Sequence, residues 1–172
     1  MPIYEGMVVR TNTPAVREAR RMAVELILSQ HPQECLSCIR NRNCELQTLS
    51  EKLGVREQRF MKLEKPITID DSTPSIVRDP RKCINCLRCV SACHKVQGVG
   101  VISPLERGFN MLVSTIPAHN LSEVSCVLCG QCIHACPVGA IYEKDQTAEV
   151  WRALADPGKH VVVQTAPAIR AA

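Results

Sequence analysis

Between Thr13 and Gln30, apolar residues recur at helical spacing, at Val16, Ala19, Ala23, Leu26 and Ile27. This predicts a helix with those positions on its buried face. Thr13 offers an N-cap oxygen, and Pro14 takes the first helical position, where no N–H is needed. His31-Pro32 ends the run, because the residue before a proline is pushed out of the helical region. Glu45 to Leu53 predicts a second helix, stopped by Gly54. Residues 64–81 set Pro66, Pro74 and Pro80 among Asp70, Asp71, Ser72 and Thr73, which predicts a linker.

Further along, Gly100-Val101-Ile102, residues 109–115 and Ala140-Ile141-Tyr142 are short β-like stretches. Thr147 to Ala155 predicts a helix with Trp151 and Leu154 on one face, ending before Pro157-Gly158. His160 to Thr165 predicts a strand, and the β-branched Val161–Val163 is the pattern of a buried central strand. No other segment offers it a sheet, so we expect it to open a further domain. A helix-like start follows at Ala166-Pro167.

Composition narrows the function. The 172 residues carry a net charge of +4, too mild and scattered for a nucleic-acid surface. The apolar runs are far shorter than a membrane span, and Met1 opens no signal-peptide pattern, so the expected location is cytoplasmic. Only 3% of residues are aromatic, which leaves a core needing other support. Eleven cysteines, an odd number, stand at tight local spacings. That argues for metal rather than a disulfide framework.

All eleven fall into three groups: Cys35, Cys38 and Cys44; Cys83, Cys86, Cys89 and Cys93; Cys126, Cys129, Cys132 and Cys136. The last two groups repeat C-x2-C-x2-C-x3-C, the spacing of bacterial two-cluster ferredoxins, and proline follows Cys136. In those proteins three cysteines of a run hold one 4Fe–4S cubane, and the fourth reaches across to the other. The resemblance implies one cluster on Cys83, Cys86, Cys89 and Cys136, and another on Cys126, Cys129, Cys132 and Cys93. His94 stands after Cys93 where the pattern has proline. A zinc site is the competing reading, but zinc favours two C-x2-C pairs with a longer spacer. Gly130, inside the second run, suits a close approach of backbone to cluster or a turn.

The first group lacks a fourth thiol. His31 precedes Cys35 by four residues and can complete the set, giving His31, Cys35, Cys38 and Cys44. The alternative is a zinc ion with three cysteines and one histidine. With His31 counted, the donors form three sets of four, enough for three 4Fe–4S clusters. The other histidines, His94, His119, His134 and His160, are expected to be ordinary surface or core side chains. Arg17, Arg20 and Arg21 are expected on a solvated helix face, and Lys82, Arg88 and Lys95 in solvent near the first run. Met61 and Met111 are expected to fill core space.

A histidine-plus-three-cysteine site followed by a two-cubane module resembles the accessory region of iron-only (FeFe) hydrogenase large subunits. Glu5 to Val9, His31 to Gln47 and Gln164 to Arg170 carry the resemblance. It implies an α+β fold: a small helical His-ligated 4Fe–4S module over 1–75, a bacterial two-4Fe–4S ferredoxin-like domain over 76–146, and over 147–172 a connecting helix and the start of a catalytic domain. The implied function is electron transfer through three 4Fe–4S clusters, with no catalytic residue in this chain. The implied partners are a hydrogenase catalytic domain or subunit, and other redox subunits or ferredoxin- or NADH-linked donors and acceptors. NAD-dependent formate dehydrogenases carry similar modules, and the large iron–sulfur subunit of respiratory NADH dehydrogenase shares the His-ligated part. A stand-alone polyferredoxin-like carrier is a third reading.

Overall fold

The computed structural model describes residues 2–61, 63, 67–115 and 119–170, the last by its backbone alone. Pro66 of the expected linker and the terminal Ala171 and Ala172 lie outside the described residues. Helix α1 spans Pro14–Gln30. Its Thr13 hydroxyl accepts the Val16 N–H at 3.3 Å, and His31 leaves the helix in an extended conformation.

The buried face of α1 differs from the expected one. Val24, Glu25 and Ser29 are buried, whereas Ala19 and Ala23 are exposed, with Leu26 48% and Ile27 37% exposed. Two contacts set this rotation. Val24 and Leu28 pack with Leu46 and Leu53 of α2 (Glu45–Leu53), and Glu25 is drawn inward by Arg59. The Arg59 Nε and Nη2 atoms donate to the Glu25 carboxylate at 2.8 and 2.6 Å. A carboxylate buried beneath an exposed arginine partner reads in sequence as a solvent position. Arg21 is half-buried on the same side rather than solvated. Helix α2 ends at Gly54, whose φ of 66° is the left-handed geometry that glycine adopts without a Cβ clash.

Two small antiparallel ribbons form the β layer. Strand β1 (Ile76–Arg78) pairs with β4 (Ile141–Glu143) in the register Ile76↔Glu143, Val77↔Tyr142 and Arg78↔Ile141. Strand β2 (Ile102–Leu105) pairs with β3 (Leu112–Thr115). The β-like stretch at 100–102 therefore starts at Ile102, and Phe109 and Asn110 form a 3-10 turn instead of strand. Behind the ribbons, Ile76, Ile102, Val113, Leu121, Ile133 and Ile141 make one core with Cys89, Cys93 and Cys132.

The expected linker is structured over its second half. Asp70 and Arg78 bridge their backbones with two 2.9 Å hydrogen bonds. The Asp70 carboxylate accepts from Arg78 Nε and Nη2 at 3.0 and 2.8 Å and from the Leu121 N–H at 2.9 Å. The Thr73 hydroxyl accepts the Ile76 N–H at 2.9 Å. Loop-like residue types serve here as buried connectors, satisfying backbone groups that a ribbon edge leaves open.

Each four-cysteine run contains a short helix carrying its third cysteine, α3 (Arg88–Ser91) with Cys89 and α4 (Gln131–Ala135) with Cys132. Helix α3 runs into a π-helical turn over Ala92–Val96. Helix α5 spans Thr147–Ala155 with Trp151 67% exposed, and α6 spans Pro167–Arg170. The strand expected over His160–Thr165 is absent: no segment pairs with it among the described residues, and Val162 and Val163 are exposed. Met61, expected in the core, is 85% exposed.

A second core joins the two halves of the chain. Val24 and Leu46 pack with Val138 and Ala140, with Cys44, Cys83 and Cys136 against them. The Glu45 N–H donates to the Pro137 carbonyl at 3.1 Å, and Arg88 grips Glu45 through two hydrogen bonds of 2.6 and 2.8 Å. Arg88 is thus a tie between the halves rather than a free cation.

Candidate metal centres

The repeat builds two cavities by the same backbone path. Asn85 and Leu87 in the first run, and Leu128 and Gly130 in the second, all have left-handed φ between 52° and 73°. They stand at matching positions, two and four residues after Cys83 and Cys126. This curls each run around a concavity before its helix begins. Gly130 needs the conformation rather than the space, since a Cβ there would meet nothing within 4 Å. Leu87 holds the same geometry without glycine, at a cost of about 1–2 kcal/mol.

The first cavity is lined by Cys83, Cys86, Cys89 and Cys136 with the apolar Ile102, Val113 and Val138. The second is lined by Cys93, Cys126, Cys129 and Cys132 with Ile76, Val99 and Ile102. The last cysteine of each run therefore lies with the first three of the other. The π-helical turn carries Cys93, whose carbonyl accepts from the Val99 and Gly100 N–H groups at 3.0 and 3.2 Å. Ile102 walls both cavities. The Asn85 N–H donates to the Cys83 sulfur at 3.4 Å, and the Cys136 thiol donates to the Val138 carbonyl at 2.9 Å.

The third set sits between the first two helices. His31 is the residue that ends α1, Cys35 opens a 3-10 turn, and Cys44 immediately precedes α2. Together with Cys38 they line a cavity of about 360 Å³, whose wall also includes Leu28, Leu46, Lys82 and Gly139. The loop between Cys38 and Cys44 is braced by Gln47, which accepts the Arg42 N–H at 2.8 Å and donates to Asn41 at 3.2 Å.

Burial shifts three of the thiols and the imidazole. It pushes Cys89 up to about 12 and Cys132 up to about 11, with neighbouring thiols adding to the rise, and it raises Cys83 as well. Burial also lowers His31, with the nearby Lys82 charge next and Asp79 opposing it. The imidazole is therefore neutral, the form that donates a lone pair to metal. Its buried Nδ1 has no hydrogen-bond partner.

These residues fit iron–sulfur clusters. The donors are soft sulfur groups plus one imidazole, grouped around two apolar-walled cavities and one with a mixed wall. The orphaned Nδ1 of His31 fits a ligand role, and Gly139 leaves the Cys38 sulfur room that a Cβ would fill. Among the described residues, no three His, Cys, Asp or Glu side chains are placed to hold a single metal ion. Loading must displace protons from the buried thiols.

His94 is an exposed side chain whose Nε2 lies 2.9 Å from the Ile102 carbonyl and 3.2 Å from the Ser103 hydroxyl. Lys82, expected in solvent, is instead drawn in beside Asp79, 15% exposed, and lines the His31 cavity. Gly139 and Ile102 carry no signal in the sequence as site residues. Only the packing of distant segments reveals them.

Comparison with known proteins agrees with this chemistry. Residues 20–59 match the NADH-ubiquinone oxidoreductase-G iron–sulfur binding region, and residues 82–140 match the 4Fe–4S dicluster domain. The NADP-reducing hydrogenase subunit HndD of Solidesulfovibrio fructosivorans is 47% identical over 99% of this chain and 29% of its own length. A NADH-quinone oxidoreductase subunit of Rhizobium meliloti is 36% identical over 80% of this chain and 16% of its own length. A chain in the crystal structure of an NAD+-reducing NiFe hydrogenase in the H2-reduced state superposes with a TM-score of 0.72. It is 25% identical, over 77% of this chain and 57% of that one. The chain thus spans less than a third of the length of these curated relatives. Among the described residues no helix is long and apolar enough to cross a membrane. The cysteine-lined cavities and both matched regions lead to one conclusion: this is an iron–sulfur electron-transfer protein carrying 4Fe–4S clusters, with relatives among hydrogenase and NADH oxidoreductase subunits.

Proposed function

We propose that residues 1–172 form the electron relay of an iron-only hydrogenase, with three 4Fe–4S clusters and a cytoplasmic location. His31, Cys35, Cys38 and Cys44 would hold the first cluster; Cys83, Cys86, Cys89 and Cys136 the second; and Cys93, Cys126, Cys129 and Cys132 the third. When bound, each cluster takes up and releases one electron. The observation that carries the reading is the chaining of the three donor sets. The Cys83 set shares the wall residue Ile102 with the Cys93 set, and it shares a core with Cys44 of the His31 set.

The chain's own residues do the positioning. Apolar side chains wall two of the cavities, and Arg88–Glu45 ties the two halves together. All eleven cysteines belong to these sets, and none follows Cys136, so this chain leaves no thiol for a catalytic iron centre. The hydrogen chemistry, with its redox partners, belongs to other domains or subunits. The similarity to the NADH-quinone oxidoreductase of Rhizobium meliloti favours a second reading, a relay in an NADH-linked oxidoreductase without hydrogen chemistry.

Anaerobic reconstitution with iron and sulfide tests the ligand sets. About 12 irons and a similar amount of sulfide per chain are expected from three four-iron clusters. About 8 irons with one zinc would overturn the His31 cluster and leave the other two. The loaded chain should accept electrons from an artificial donor and show no hydrogen turnover by itself. Robust turnover would refute the relay reading. If electron transfer to added catalytic subunits runs only with NADH-linked partners and never with a hydrogenase, the second reading replaces the first.

A further inference from the structure

Lys82 stands at the joint between two donor sets. It precedes Cys83 in the chain and also lines the cavity of His31, Cys35, Cys38 and Cys44. A 3-10 turn over Pro80–Lys82 holds it there, with the Lys82 N–H donating to the Asp79 carbonyl at 3.1 Å. Its side chain is only 15% exposed, and its ammonium lies 3.6 Å from the Asp79 carboxylate.

That carboxylate is already engaged. Arg81 donates to both of its oxygens, each at 2.8 Å, and Asp79 is 1% exposed. Arg81, 46% exposed, takes both oxygens of Asp79 and also feels the Glu34 carboxylate, which leaves the mostly buried Lys82 with only a longer contact to Asp79 at the cavity wall. Other charged residues at this cavity are placed differently. Glu34 and Glu51 are exposed, where water and salt screen them, and Arg40 is hydrogen-bonded to the Ile133 carbonyl. A mostly buried charge is screened far less.

We propose that Lys82 sets the reduction potential of the His31 cluster, its fixed positive charge favouring the reduced state of that site. The inference rests on the reading that the His31 set holds a four-iron cluster. Reduction adds one electron to the site, taken from the neighbouring cluster of the Cys83 set, which is oxidised by one. No proton or ligand changes place. A nearby positive charge stabilises the added negative charge, and removing it makes the site harder to reduce. An imidazole ligand in place of a thiolate already raises the potential, and Lys82 acts in the same direction. The relay end at His31 is thereby made the better electron acceptor of the two neighbouring sites.

The test uses the full chain loaded anaerobically with iron and sulfide, titrated electrochemically and followed by electron paramagnetic resonance. In K82Q the iron content should stay at that of the unmutated chain. The equilibrium constant for reducing the His31 cluster should fall about tenfold, about 59 mV for one electron. The cluster of Cys93, Cys126, Cys129 and Cys132 should hold its potential, and K82R, which keeps the charge, should restore the original value. An unchanged His31 potential in K82Q, or a fall at the Cys83 cluster as large as that at the His31 cluster, would overturn the proposal. K82M is measured in parallel. If neither neutral variant loads the His31 cluster while K82R does, Lys82 serves cluster assembly and the proposal fails. About 8 irons in the unmutated chain would instead remove the His31 cluster itself, a different result from full loading with an unmoved potential.

Discussion

Gly139 lies against Cys38 so closely that a Cβ at Gly139 would come within 2.9 Å of the Cys38 sulfur. Far apart in the sequence, the two meet where the loop after Cys136-Pro137 closes over the His31 cavity. The contact binds the first helical pair to the second cysteine repeat. Gly139→Ala should therefore disturb the His31 set alone. Of the expected iron, about four per chain should be lost, with a destabilisation of about 1–3 kcal/mol from overpacking. Iron analysis and thermal unfolding of the variant check both, and full iron with unchanged stability would show that Cys38 can yield.

The crossing of the two repeats makes a specific claim about single cysteines. Cys93→Ser should damage the cluster whose other donors are Cys126, Cys129 and Cys132, and Cys136→Ser the one held by Cys83, Cys86 and Cys89. Electron paramagnetic resonance of each variant should show one altered signal, a different one in each case. Loss of the same signal from both variants would refute the crossing. Because each cluster would tie the repeats together, either variant should also lower the unfolding temperature of residues 82–145 as a unit.

Acid should weaken the tie between α1 and the segment carrying Arg59. Hydrogen bonding by the Arg59 side chain holds the Glu25 carboxyl down at about 2, against the opposing effect of burial. A depressed carboxyl stabilises the fold while it is ionised. Its contribution is full above the ordinary carboxylate range and fades as pH falls from about 4.5 toward 2. Denaturant unfolding of the chain and of Glu25→Gln should differ at pH 7 and converge as pH drops through that window. A gap that widens instead would contradict the pairing.

Asp70→Ala should be among the most damaging changes outside the cysteines. It leaves Arg78, 7% exposed, as a buried cation without its partner and frees the Leu121 N–H. A loss of about 3–5 kcal/mol is expected from breaking a buried pair on one side. Urea unfolding measures it. A loss below about 1 kcal/mol would mean that water reaches Arg78.

Much of the site is legible in the chain because cluster chemistry is local. Thr13-Pro14 at one end of α1 and Gly54 after α2 mark helix boundaries through single-residue backbone physics, and both helices form where that physics places them. The doubled cysteine spacing gathers three donors of each cavity within seven residues, too short a stretch for tertiary packing to rearrange. What periodicity cannot reveal is which partner each face meets. Glu25 turns inward because Arg59 is there, Asp70 is buried because Arg78 and Leu121 claim it, and Val161–Val163 stays unpaired because no strand edge faces it among the described residues. The grouping of the cysteines is therefore a property of the sequence, set by their spacing. Their company is decided by the fold: Cys93 beside Cys126, Cys136 beside Cys83, and Gly139 and Lys82 at the His31 cavity are contacts across long loops, which exist only once both halves have packed on their shared core.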